Sequence, residues 1–100
     1  MKITVEEIEG KLVAALSGEL DTAAAAEAEA ALEPLNDSAG KDIVIDCTEL
    51  EYIASSGLRL LLNILKKAKA SGSRIILKNV NEVFRDVLEL TGFVSLFEFE

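Results

Sequence analysis

The sequence predicts an α/β fold: one mixed, largely parallel β-sheet with about three packed helices, in the order β-β-α-β-α-β-α-β. Three observations predict it. Ile43-Val44-Ile45 and Ile75-Ile76-Leu77 are short apolar runs bounded by polar residues, the pattern of buried strands. Between and after them lie stretches with helical periodicity, and helical crossovers between such strands imply parallel pairing with right-handed connections. At the N-terminus, by contrast, two strand-like runs are separated only by a turn. With 100 residues, half of them hydrophobic, the chain can bury one core without staples, so residues 1–100 read as a single domain.

Each element follows from its residues. Over residues 2–8 the chain alternates, with Ile3 and Val5 facing one way and Lys2, Thr4 and Glu6 the other, as in a half-buried strand. Glu9-Gly10 is a turn signal, and Leu12-Val13-Ala14-Ala15-Leu16, apolar on both faces, reads as an inner strand that completes a hairpin and ends at Gly18. Asp21 is a good N-cap for an Ala- and Glu-rich helix from Thr22 to about Leu35, whose inner face is Ala24, Ala28, Ala31, Leu32 and Leu35. Pro34, Asn36, Asp37 and Gly40 form its exit. After the Ile43–Ile45 strand come a polar turn and a helix from about Ser56 to Ala70. Leu61, Ile64, Leu65 and Ala68 form its apolar stripe, flanked by Leu58, Leu60 and Leu62, and Arg59, Asn63, Lys66 and Lys67 its polar face. Gly72 closes it. The Ile75–Leu77 strand leads to a third helix, capped by Asn79 or Asn81 and striped by Val83, Phe84, Val87, Leu88 and Thr91. Gly92 stops it, and Leu96, Phe97 and Phe99 form a last strand.

Composition narrows the function. There is no His, which removes His-based acid/base catalysis, Ser-His-Asp triads and His metal sites. The single Cys rules out an intrachain disulfide, and with no export signal it fits a reducing cytoplasm. No apolar run approaches the roughly 20 residues that span a bilayer. The net charge of −8 disfavours nucleic acid and anionic membrane surfaces. That charge is uneven: residues 1–51 hold 13 acids and 3 bases, residues 52–100 hold 5 and 7. A protein partner with a basic patch, or solubility alone, accounts for this equally well.

The most informative stretch runs from Asp46 to Arg59: Asp46-Cys47-Thr48-Glu49-Leu50-Glu51-Tyr52-Ile53-Ala54-Ser55-Ser56-Gly57-Leu58-Arg59. It leads from the C-terminal end of an inner strand into a helix N-terminus, the edge at which α/β sheets tend to bind ligands and partners. A serine at such a place can cap the helix, worth about 1 kcal/mol; Ser55 and Ser56 are equal candidates for this and for a functional hydroxyl. Gly57 costs roughly 1 kcal/mol in a helix, and close backbone approach by a phosphate or a partner would account for it. A hydrolase nucleophile is not indicated, because the Gly-x-Ser-x-Gly elbow is missing and Lys66 and Lys67 lie at least two turns beyond Ser56. No P-loop is present, and no cation precedes Arg59 in the stretch. Glu19, Asp21, Asp46, Glu49 and Glu51 would gather if their loops shared an edge, but they lack EF-hand spacing; solvated acids, with no metal and no cofactor, are the expectation. Cys47 reads as a small buried residue.

At this stretch the sequence resembles the STAS domains of anti-sigma factor antagonists and of sulfate-transporter tails. The resemblance rests on Gly18-Glu19-Leu20-Asp21, on Asp46–Ile53 leading into Ser55-Ser56-Gly57-Leu58, and on Leu90-Thr91-Gly92-Phe93, in matching order and spacing over essentially the whole chain. It implies a non-enzymatic protein that binds an anti-sigma factor which is also a serine kinase. That kinase would phosphorylate the Ser two places before the Gly, here Ser55 rather than Ser56, and a metal-dependent serine phosphatase would reverse the reaction. The partner-binding face it implies surrounds Ser55 and takes in Asp21, Ser56, Gly57, Arg59, Asn63 and Lys66; an ordinary solvated helix face is the competing account of the last three. One position departs from the family pattern. Ala54 stands where an Asp is common, which changes the local charge and hydrogen bonding. Two other classes stay open: a non-phosphorylated scaffold subunit docked on the ATPase of a membrane transporter, and a nucleotide-binding regulatory module.

Overall fold

Five strands and three α-helices follow one another in the expected order in a computed structural model that describes residues 1–100. Strands β1 (Lys2–Ile8) and β2 (Lys11–Leu20) form the antiparallel hairpin, with Val5 opposite Ala14. Strands β3 (Ile43–Ile53), β4 (Ile75–Lys78) and β5 (Glu98–Phe99) add to β2 in parallel, in the spatial order β1-β2-β3-β4-β5. The crossovers are α1 (Thr22–Ala31), α2 (Ser55–Ala70) and α3 (Glu82–Thr91). Because spatial order equals chain order, right-handed crossovers put all three helices on one face of the sheet. Ala28, Leu61, Ile64, Phe84 and Leu88 accordingly share one core with Ile43, Ile45, Ile75 and Leu77. The alternate residues Val44 and Ile76 lie outside that core and turn to the other face. There Arg74 bridges Asp42 at 2.8 Å and Glu98 at 3.2 Å and lowers the Asp42 pKa below its ordinary value.

Several boundaries differ from those expected. Gly18 does not end β2; it adopts φ +100° inside the strand, which continues to Leu20. The predicted polar turn after Ile45 is strand, and β3 runs on to Ile53. Its register against β2 slips twice, between Ala15 and Ser17 and between Gly18 and Glu19, each time with an extra residue on β3. These bulges replace two-residue alternation by a spacing of three, so that Cys47, Leu50 and Ile53 are buried while Thr48, Glu49, Glu51 and Tyr52 face solvent. α1 stops at Ala31, and a 3-10 turn with Pro34 in its first positions carries residues 33–37. Val83 and Thr91 are exposed rather than part of the inner stripe of α3. Leu96 belongs to a second 3-10 turn, leaving β5 only Glu98 and Phe99.

One buried polar pair ties the loop after α1 to the entry of β4. Ser38 and Ser73, both almost fully buried, share an Oγ–Oγ hydrogen bond of 2.7 Å. In urea titrations Ser38→Ala is expected to destabilise the fold by about 1–3 kcal/mol, since it strands the Ser73 hydroxyl, whereas replacing both serines by Ala costs less than replacing one.

Candidate functional site

The bulges in β3 deliver the chain to α2 at a fixed place. Ala54, between strand and helix, has extended backbone (φ −85°, ψ 169°), donates its N–H to Leu20 O at 2.8 Å and accepts from Leu58 N at 2.9 Å. It is the N-cap of α2, so the helix starts at Ser55, one residue earlier than expected, and neither serine occupies the cap position. The other two helices have the same cap backbone with a working side chain: Asp21 Oδ1 accepts from Ala24 N at 2.9 Å, and Asn81 Oδ1 from Phe84 N at 2.8 Å. α2 alone lacks one. Ala54→Asp is therefore expected to stabilise the protein by ~0.5–2 kcal/mol, read as a rise of several degrees in melting temperature.

The two adjacent serines are not equivalent. Ser55 is exposed; Ser56 is half-buried, and its Oγ donates to Thr22 Oγ1 at 3.4 Å, joining the starts of α2 and α1. Gly57 is buried, which corrects the idea that its missing side chain admits a phosphate or partner. A Cβ there would lie 2.7 Å from Leu20 Cγ and 3.0 Å from Ile53 Cγ1. The glycine lets the first turn of α2 sit directly on the ends of β2 and β3.

From Ser55 a single line of exposed side chains runs down α2: Arg59, Asn63 and Lys66, at spacings of four, four and three. Lys67 and Lys69 widen the line into a basic band, and α2 contains no acid. Asp21 lies beside the start of α2, with its carboxylate engaged in capping α1. Asp46 does not join the site. It is seven residues before the end of β3, roughly 23 Å at strand rise, where it accepts from Thr48 N and Oγ1; this holds its pKa below the ordinary value. Glu19, Asp21, Asp46, Glu49 and Glu51 do not assemble a cluster able to hold a metal. Cys47 is buried, and burial pushes its pKa up to about 12, the reverse of what a reactive thiolate needs.

Residue-by-residue reading missed a neighbour of this site. Leu50–Ile53 and residues Asn81, Val83, Phe84 and Val87 line a small apolar cleft between the end of β3 and α3. Tyr52 and Val83 are 50% and 65% exposed beside it. Helical periodicity assigns Val83 to the core; in the structure it lies in the first turn of α3 and is exposed.

The family model for the STAS domain matches residues 2–100. The chain belongs to the STAS family. Its domain is 35% identical over 97 residues to BtrV of Bordetella bronchiseptica, which carries an anti-sigma factor antagonist designation; the match spans 97% of this chain and 84% of BtrV. Among solved structures, an anti-sigma factor antagonist from Mycobacterium paratuberculosis superposes with a TM-score of 0.82 at 27% identity, covering 98% of this STAS domain and 83% of that chain. The Bacillus cell-fate determinant SpoIIAA, solved in its phosphorylated form, shares the fold with a TM-score of 0.75 at 24% identity, over 99% of this chain and 91% of that one. The STAS domain thus has anti-sigma factor antagonists as homologues, and no helix in it is long and apolar enough to cross a membrane.

Proposed function

We propose that this STAS domain is a cytoplasmic anti-sigma factor antagonist: it binds an anti-sigma factor of the serine-kinase type, is released when that kinase phosphorylates Ser55, and is restored by a metal-dependent serine phosphatase. The observation that carries the reading is the asymmetry of the two serines. Ser55 is free at the exposed start of α2, while Ser56 is half-buried against Thr22. A kinase needs an accessible hydroxyl, and Ser55 supplies it without dismantling a contact.

The chemistry of the place suits a switch. A phosphoryl group adds roughly −1.5 to −2 charge, and the N-terminus of α2 has free amide donors and no capping carboxylate to repel it. The isolated domain tolerates the modification. At an interface the same charge must be desolvated against the partner, and mispaired charge there costs several kcal/mol. The relatives support the class: BtrV by its designation, SpoIIAA by a structure carrying phosphate.

Incubation with the cognate kinase and ATP, followed by peptide mass spectrometry, tests the proposal. One phosphoryl group on the peptide containing Ser55, lost in Ser55→Ala and kept in Ser56→Ala, is the expected result. The reverse pattern, or no modification, removes the switch.

A further inference from the structure

From the distribution of charge on the helical layer we infer that this face is a two-fold, self-complementary docking surface for a second copy of the chain. Residues 22–37, comprising α1 and its 3-10 turn, carry Glu27, Glu29, Glu33 and Asp37 and no base; α2 carries Arg59, Lys66, Lys67 and Lys69 and no acid. All eight side chains are exposed. The helices are neighbours, yet the ion pairs of the structure are Lys41–Glu7, Arg74–Asp42, Arg74–Glu98 and Arg85–Glu89, so the four cations of α2 are unpaired within the chain. A shallow groove between the helices has Glu29 on one wall and Lys66 and Lys67 on the other.

The charges also match along the axis. Both helices cross between parallel strands, so they run the same way, and the Ser56–Thr22 contact sets their starts side by side. Glu27 and Arg59 each lie between one and two turns in. Glu33, in the 3-10 turn just past the end of α1, and Lys66, about three turns into α2, both lie toward the far end of the groove. A two-fold axis along the groove keeps the helix direction and lays α1 of each copy on α2 of the other. Every acid–base contact then occurs twice, as an isologous interface requires. The rest of the exposed α1 face is Thr22, Ala23, Ala26 and Ala30, small side chains that do not obstruct approach. The protein measures 30 × 26 × 20 Å; its broad face offers at most about 800 Å², the share each partner gives to a standard interface. Contacts made mostly of exposed ion pairs are weak and screened by salt, so the dimer forms at high protein concentration and excludes other partners from α2.

Charge-swapped chains test this without any other protein. One variant carries Lys66→Glu, Lys67→Glu and Lys69→Glu, the other Glu27→Lys, Glu29→Lys and Glu33→Lys. In sedimentation velocity at millimolar protein and low salt, the wild type is expected to dimerise and to dissociate in high salt. Each variant alone is expected to be monomeric, and their equimolar mixture dimeric, because mixing restores both acid–base contacts. The Glu→Lys variant has a net charge of only −2 against −8 for wild type, so generic repulsion predicts that it associates more, not less. A monomeric wild type, a Glu→Lys variant that dimerises as well as wild type, or a mixture that stays monomeric would each overturn the inference.

Discussion

Ser55→Asp is expected to weaken binding to the anti-sigma partner by about 100-fold or more while leaving the melting temperature within a few degrees of wild type. The two halves of this expectation have separate causes. Stability is spared because Ser55 is exposed, makes no cap, and sits where the dipole of α2 favours an anion, by about 0.3–1 kcal/mol. Binding suffers because the carboxylate lies at the head of the Arg59–Asn63–Lys66 line, where partner groups shaped for a neutral hydroxyl receive a charge. A penalty near 3 kcal/mol gives a factor of roughly 100, and phosphate, with more charge, exceeds it. Calorimetric affinity and thermal melting of the same samples separate the two; a melting temperature that falls in step with affinity would mean that the switch acts by unfolding.

Gly57→Ala is expected to destabilise the domain by up to about 2 kcal/mol, although Ala is ordinarily the better helix former by about 1 kcal/mol. The new methyl would meet Leu20 Cγ at 2.7 Å and Ile53 Cγ1 at 3.0 Å. Leu20 is fully buried and cannot swing aside. Overpacking a closed core costs roughly 1–3 kcal/mol before the propensity gain is credited. Gly57→Val should be worse, and α2 should shift outward, disturbing the presentation of Ser55. Chemical denaturation measures the loss; a stabilised Gly57→Ala would show that α2 is not seated against β2 and β3 as described.

The elements governed by simple periodicity were legible in the sequence. The hairpin shows its alternation, and the stripe Leu61-Ile64-Leu65-Ala68 shows the buried side of α2. What escaped depends on pairing between distant segments. The two bulges of β3 exist only against β2, and they turn what reads as a polar loop into a strand with core residues three apart. The reason for Gly57 lies in Leu20, and the difference between Ser55 and Ser56 lies in Thr22, more than thirty residues away. The sequence offers Ser55 and Ser56 as caps for α2; that the cap position falls on Ala54 instead depends on where β3 ends. Asp46 stands apart for a related reason: it shares a motif with Ser55, but the residues between them are strand, so closeness in the motif is not closeness in space.

The most direct test of the central claim is affinity capture from the cell of origin with three baits: wild type, Ser55→Ala and Ser55→Asp. A phosphorylation-switched antagonist captures an ATP-binding serine kinase with wild type and Ser55→Ala and loses it with Ser55→Asp. Capture of transporter subunits, or of the same proteins by all three baits, would contradict the account and leave a constitutive scaffold in its place.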